Sequence, residues 1–173
     1  MKSSWKRETK ETSIEVSLET DGSGVIEIET GIELLDEMLS AFAVGANFDL
    51  RVMARGDLET GDHHTTEDTG IALGSCLGQI IKRGMSSAVV PSGDCLATVA
   101  VRFGKPGYRQ DFEFLGREES GMSLQNFGHF LRSLAYNGNF TLHVRAEGGS
   151  DKTKVEAVCT ALGRAVKRAI RDE

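Results

Sequence analysis

The chain repeats itself, and that repeat limits what it can fold into more than any other property. Residues 34–52 align without gaps on residues 126–144, so that Asn47 falls on Asn139, Phe48 on Phe140, Leu50 on Leu142 and Val52 on Val144. After a three-residue shortening, Asp62-His63-His64-Thr65-Thr66-Glu67 falls on Asp151-Lys152-Thr153-Lys154-Val155-Glu156, and Ala72-Leu73-Gly74 on Ala161-Leu162-Gly163. Chance can produce one such match, but two in the same order mark a duplicated unit. Each half then reads strands, helix, strand, helix.

In the first half, residues 13–18 and 25–28 alternate apolar and polar positions, and Asp21-Gly22-Ser23-Gly24 between them reads as a hairpin turn. A helix over 31–44, a strand over 48–54 and a second helix over 63–82 follow. Leu73, Leu77, Ile80 and Ile81 keep the helical period in that last segment. The second half opens with strands at 95–103 and 108–114, joined by the turn Gly104-Lys105-Pro106-Gly107. It continues with a helix over 123–137, a strand over 140–146 and a helix over 151–171. Pro91-Ser92-Gly93-Asp94 is the expected divide, giving halves 1–90 and 91–173 within one compact unit. The expected fold class is two-layer α/β, internally duplicated. Each half is a mostly antiparallel or mixed four-stranded sheet with two helices packed on one face, and the other sheet faces are available to partner subunits.

Composition narrows the function. With 173 residues, 39% hydrophobic and 27% charged, the chain has an ordinary globular balance. A net charge of −6 argues against a nucleic-acid partner. Its basic run, Arg164, Lys167, Arg168 and Arg171, falls at a helix end, where cations complement the macrodipole. No window approaches the ~18 apolar residues of a membrane span, so no membrane partner is expected. Cys76, Cys95 and Cys159 are odd in number, far apart and without a CxxC, which suits buried thiols in a reducing, cytoplasmic setting.

The chemistry concentrates in Gly61-Asp62-His63-His64-Thr65-Thr66-Glu67-Asp68-Thr69. On a helix, His63 and Glu67 are i,i+4 and His64 and Glu67 are i,i+3, so their side chains share a face. Imidazole and carboxylate together select a borderline divalent cation such as Zn or Mn. The plain alternative is a solvated helix start with Asp62 as N-cap. A metal would need further donors from elsewhere in the chain or from another subunit.

Five motifs in order then resemble one family. Arg7-Glu8-Thr9-Lys10-Glu11-Thr12-Ser13-Ile14 is similar to its R-x-T-x-E-T-x-I, and Thr30-Gly31-Ile32-Glu33-Leu34-Leu35-Asp36-Glu37-Met38-Leu39 to its T-G-I-x-F-L-D-H-M-L. Asp62-His63-His64-Thr65-Thr66-Glu67-Asp68 resembles D-H-H-T-x-E-D, Leu142-His143-Val144-Arg145 resembles L-H-V-R, and Glu156-Ala157 ends the second H-H-x-x-E-A. The chain thus resembles imidazoleglycerol-phosphate dehydratase of histidine biosynthesis over nearly its whole length. The resemblance implies a lyase that dehydrates a phosphorylated imidazole, and a homo-oligomer, typically of twenty-four subunits. It further implies two manganese ions per active site, held by residues of both repeats from neighbouring subunits.

Carried over by position, the resemblance makes Glu11 the catalytic acid/base. It makes His63, His64, Glu67, His143, Glu156 and Glu37 metal ligands, and Lys105 and Arg83 phosphate contacts. Three histidine positions of the pattern differ: Glu37 replaces one, and Lys152 and Thr153 replace a pair. Glu37 still offers oxygen to a hard cation, whereas Lys152 brings a positive charge. Fewer than two manganese or other divalent ions per site are therefore expected. A catalytically inactive paralogue that keeps the fold and assembly is the alternative. His129, opposite Glu37 in the repeat, reads as structural or peripheral.

Overall fold

The structure, a computed structural model, describes residues 1–171. The first sheet contains Lys2–Glu8 (β1), Thr12–Glu19 (β2), Ile26–Glu29 (β3) and Asp49–Gly56 (β4), in the order β1-β2-β4-β3. Its helices are Glu33–Ala46 (α1) and His63–Ile80 (α2). The second sheet contains Met85–Ser92 (β5), Cys95–Phe103 (β6) and Gly107–Asp111 (β7). A small hairpin, Glu118–Glu119 (β8) and Met122–Ser123 (β9), precedes the helix Gln125–Asn137 (α3). Phe140–Glu147 (β10) completes the sheet, in the order β5-β6-β10-β7, and Asp151–Arg171 (α4) ends the described chain.

Alternation sets which face of each strand is buried. In β2, Ile14, Val16 and Leu18 point inward while Ser13 and Glu15 face out, and in β10 Leu142 and Val144 are buried while His143 and Arg145 are exposed. Helices α1 and α2 cover the inner face of the first sheet, and α3 and α4 that of the second. The helical layers then pack on each other, α1 against α4 and α2 against α3. Each half is the two-layer unit expected, and the whole is a four-layer β-α-α-β stack. Among the described residues, no helix is long and apolar enough to cross a membrane.

Two expected hairpins are absent. Strand β3 pairs parallel with β4, not with β2, and β7 pairs parallel with β10, not with β6. The reason in the first half is Asp49. Its Oδ1 accepts the backbone N–H groups of Ser23, Gly24 and Val25 at 2.8, 2.9 and 2.9 Å, which folds the turn onto the start of β4. Those amide donors, Val25 foremost, hold the Asp49 carboxyl below its ordinary range.

Strands β1 and β5 lie outside the expected elements, and both are edge strands of little alternation, KSSWKRE and MSSAVVPS. Because β5 pairs with β6 from Met85↔Arg102 to Ser92↔Cys95, Pro91-Ser92-Gly93-Asp94 turns a hairpin inside the second sheet. The sheets therefore divide between α2 and β5, upstream of the expected position. Proline fits there because an edge strand leaves one N–H row unpaired.

The duplication survives in the details. Phe48 and Phe140, equivalent in the repeat, are 1% and 0% exposed, and Asn47 and Asn139 both turn the chain at φ 54°. Asparagine tolerates that left-handed conformation after a helix. Each helix pair also touches backbone to backbone. A Cβ on Gly163 of α4 would lie 2.2 Å from the Phe42 carbonyl oxygen, and one on its counterpart Gly74 would lie 2.5 Å from that of Leu134. Alanine in a free helix is worth about 1 kcal/mol more than glycine. Here we expect the reverse: Gly163→Ala should cost about 1–3 kcal/mol through overpacking, read as a lowered urea midpoint. An unchanged or raised midpoint would show that the α1–α4 crossing relaxes freely.

Candidate functional site

Helix α2 begins at His63, two residues after Gly61 at φ 115°. Asp62 occupies the N-cap position but makes no side-chain cap bond. Its carboxylate instead reaches across to the second half, where Oδ2 accepts Asn126 Nδ2–H at 2.7 Å and the Ser123 N–H at 3.2 Å. A carboxylate can only accept, so the Asn126 amide nitrogen must face Asp62, and its Oδ1 must face His63 Nδ1, 3.0 Å away. That oxygen can only accept a proton from Nδ1. In the neutral ring the lone pair therefore sits on Nε2, the tautomer that ligates a metal.

His63 Nε2 lies 3.1 Å from Glu67 Oε2. Between a neutral ring in this tautomer and an ionised carboxylate, that is a contact of two acceptors, which a bound cation or a second ring proton would satisfy. The His64 ring centroid is 5.8 Å from that of His63, and the His129 centroid, from α3, is 5.6 Å away on an edge-to-face contact. The α2/α3 seam thus gathers His63, His64, Glu67 and His129. Among the described residues, no three His, Cys, Asp or Glu side chains already stand as a metal shell, so these four are donors held in one region rather than a closed site.

Glu11 sits at the exposed β1–β2 connection, and that connection is tied to α2. Thr12 Oγ1 donates to Asp68 Oδ2 at 2.5 Å, and Arg7 Nε pairs with Asp68 Oδ1 at 3.2 Å. Asp68 is the residue after Glu67 and is buried. Thr9 Oγ1 orders the turn further, accepting from the Glu11 and Thr12 N–H groups at 3.1 and 3.0 Å. The expected acid/base is therefore carried on a hairpin fixed to the first turns of the histidine helix.

The other expected residues fall in three further places. Glu37 on α1 and Glu156 on α4 belong to the α1/α4 seam, where Lys152 Nζ pairs with Glu37 Oε1 at 3.3 Å. The hydrogen bond to Glu37, and then its charge with those of Glu156 and Glu33, push the Lys152 ammonium above its ordinary range. His143 points away from the helices, on the outer face of the second sheet, lining a cavity with Thr98, Ala100, Arg109, Asp111 and Arg145. Arg83 and Lys105 come from adjacent turns: Phe103 N–H donates to the Gly84 carbonyl at 2.9 Å, and Gly104 lies against the Lys82 carbonyl. Within one chain, then, the structure joins His63, His64 and Glu67, joins Glu37 and Glu156 to a second seam, and keeps His143 apart from both.

His129, which reads from the sequence as structural or peripheral, stands beside His63. Helical spacing gives no role to Asn126. Asn126 replaces the fully buried Leu34 of the first half and is itself only 3% exposed. A buried amide in place of a core leucine signals a specific partner. In metal-free protein, nitrogen-15 imidazole spectra should find His63 protonated at Nδ1, with Asn126→Ala mixing the two tautomers. A predominant Nε2–H form in the parent would overturn the assignment.

The same architecture occurs in known proteins. The family model described as imidazoleglycerol-phosphate dehydratase matches residues 30–166. The imidazoleglycerol-phosphate dehydratase of Methanothermobacter thermautotrophicus is 42% identical over 173 residues, spanning 96% of this chain and 89% of that one. A bifunctional histidine-biosynthesis protein of Bacteroides fragilis is 39% identical over 171 residues, with the match filling 96% of this chain and 46% of that one. The crystal structure of the Staphylococcus aureus imidazoleglycerol-phosphate dehydratase superposes with a TM-score of 0.86 at 27% identity, covering 98% of both chains. That of the Pyrococcus furiosus protein superposes at 0.84 with 32% identity, covering 95% of this chain and 92% of its own. On the model match, the identity and the shared fold, this chain belongs to the imidazoleglycerol-phosphate dehydratase family.

Proposed function

We propose that the chain is a carbon–oxygen lyase that removes water from imidazoleglycerol phosphate in histidine biosynthesis, depending on manganese or another divalent cation at the α2/α3 seam. The observation that carries this reading is His63 itself. Asn126 and Asp62 orient its ring so that Nε2 faces Glu67, 3.1 Å from Oε2. A ring nitrogen and a carboxylate oxygen held that close are fitted to a cation. When bound, the cation supplies Lewis-acid stabilisation of negative charge developing on the substrate ring.

The chain's own residues do the rest. Glu11, anchored to α2 through Thr12 and Asp68, takes and returns the proton. Arg83 and Lys105, on neighbouring turns, hold the phosphate, Arg83 by a two-pronged contact and Lys105 as a point charge. His64 and His129 flank His63 as the remaining donors of the seam. His143 faces outward and reaches such a site only from a neighbouring copy, which is why the reading includes a homo-oligomer of the family's twenty-four-subunit type. The three free cysteines are buried, and burial pushes the Cys76 thiol up to about 11, which keeps it protonated. This suits a cytoplasmic enzyme.

One observation favours a second reading, a non-catalytic paralogue that keeps fold and assembly. The Glu37–Lys152 pair fills a position where the family pattern has histidines. Metal analysis of purified protein followed by a dehydratase assay with added Mn separates the two. We expect about one tightly held metal per subunit, lost in His63→Ala/His64→Ala, with turnover that depends on Mn. Metal binding without turnover supports the paralogue. Metal that survives loss of both histidines overturns the assignment of the α2/α3 seam.

A further inference from the structure

The repeat makes the two helix seams counterparts, residue for residue. His63 corresponds to Lys152, His64 to Thr153, Glu67 to Glu156 and His129 to Glu37. The structure brings the corresponding pairs together in the same way. His63 at the start of α2 meets His129 on α3, and Lys152 at the start of α4 meets Glu37 on α1. What differs is the chemistry. One seam offers imidazoles beside a carboxylate. The other offers two carboxylates and an ammonium already among them.

Glu37 shows what this arrangement demands. Its Oε1 is paired with Lys152, and its Oε2 is buried with no hydrogen-bond partner. A carboxylate with one orphaned oxygen is stabilised by a cation, and here Lys152 is the cation in contact with it. Glu156 and Glu33 face the same ammonium through their charges. An ammonium has no lone pair to ligate a metal, and its charge opposes the approach of a divalent ion. The residues present at this seam therefore do not fit a metal as they stand.

We propose that Lys152 is a resident cation that takes the place of a divalent metal at the α1/α4 seam: it neutralises Glu37, excludes Mn and similar ions, and hides a latent cation site made by Glu37 and Glu156. The proposal uses the metal reading of the α2/α3 seam only to say which seam is the other one. Its test works without that seam. In a His63→Ala/His64→Ala background, where the first seam has lost its imidazoles, Mn binding is followed by the electron paramagnetic resonance of free Mn and by the shift of Tm with added Mn.

In that background the α1/α4 seam should bind no Mn. Adding Lys152→Met, which keeps most of the side-chain length and removes the charge, should create a Mn-dependent rise in Tm and Mn binding about tenfold or more above the non-specific level of the background. Lys152→His should do the same or better, because it adds a nitrogen donor. Glu37→Gln combined with Lys152→Met should abolish the gain. The metal-free Tm of each variant establishes folding, and the two Lys152 variants guard against failure of either. Two results would overturn the proposal: Mn affinity and Tm response unchanged in both Lys152 variants, or Mn binding in the background that already disappears with Glu37→Gln alone. Neither readout involves dehydratase activity, so failure of the catalytic reading would leave this result interpretable.

Discussion

Each half of this chain is held to the other by helices that cross at backbone distance, and the position of every candidate donor depends on those crossings. Gly163 meets the carbonyl of Phe42, and Gly74 meets that of Leu134, with no room for a Cβ at either contact. Each seam is pinned again near the helix start, by Lys152 against Glu37 and by His63 against His129. Two contacts along a helix fix both its angle and its rotation. Side chains at the start of α2 and α4 therefore point at α3 and α1 in the same way in both halves. Buried phenylalanines at equivalent positions, Phe48 and Phe140, fill the space behind.

On that shared frame the chemistry has diverged without disturbing the packing. The donor positions lie at helix starts and are partly exposed, whereas the glycines and core residues beneath them are buried. Substituting lysine for imidazole changes charge and coordination but removes no core contact. The cost of such a change is electrostatic, and Glu37 at the position of His129 offsets it directly. A charge swap on one helix matched by a carboxylate on the next leaves the seam closed. This explains how the two helix starts can carry different side-chain chemistry while the fold continues to superpose on the family's solved members.

Much of this was legible in the sequence, for identifiable reasons. The helices and the strands at β2, β4, β6 and β10 followed from period and alternation, because burial on one face leaves that imprint. Strand partners did not, because alternation says which face is buried and nothing about which neighbour supplies the hydrogen bonds. The turn before β3 looked like a hairpin, and only the Asp49 carboxylate, distant in sequence, directs it elsewhere. Edge strands β1 and β5 carry too little alternation to be recognised. The grouping of His63, His64 and Glu67 at one helix start was readable because helical spacing is local. Asn126 and His129 were harder, since their partners lie more than sixty residues away.

The scattering of donors has its own logic. A single chain holds one group of imidazoles at the exposed end of its α2/α3 seam and another, His143, on the outside of a sheet. The two faces belong to one rigid stack, so no side-chain motion brings His143 to His63 within the same chain. If both serve one cation, they must come from different copies, with the outer sheet face of one subunit set beside a helix seam of the next. The outer faces of the two sheets carry Met53, Val89 and Leu96 at 44%, 55% and 41% exposure. A homo-oligomer would cover that surface and complete the donor set with one contact. Assembly and metal binding would then depend on each other. In such an arrangement Lys152 would matter beyond its own seam, because it decides how many of the assembly's junctions can hold a divalent ion.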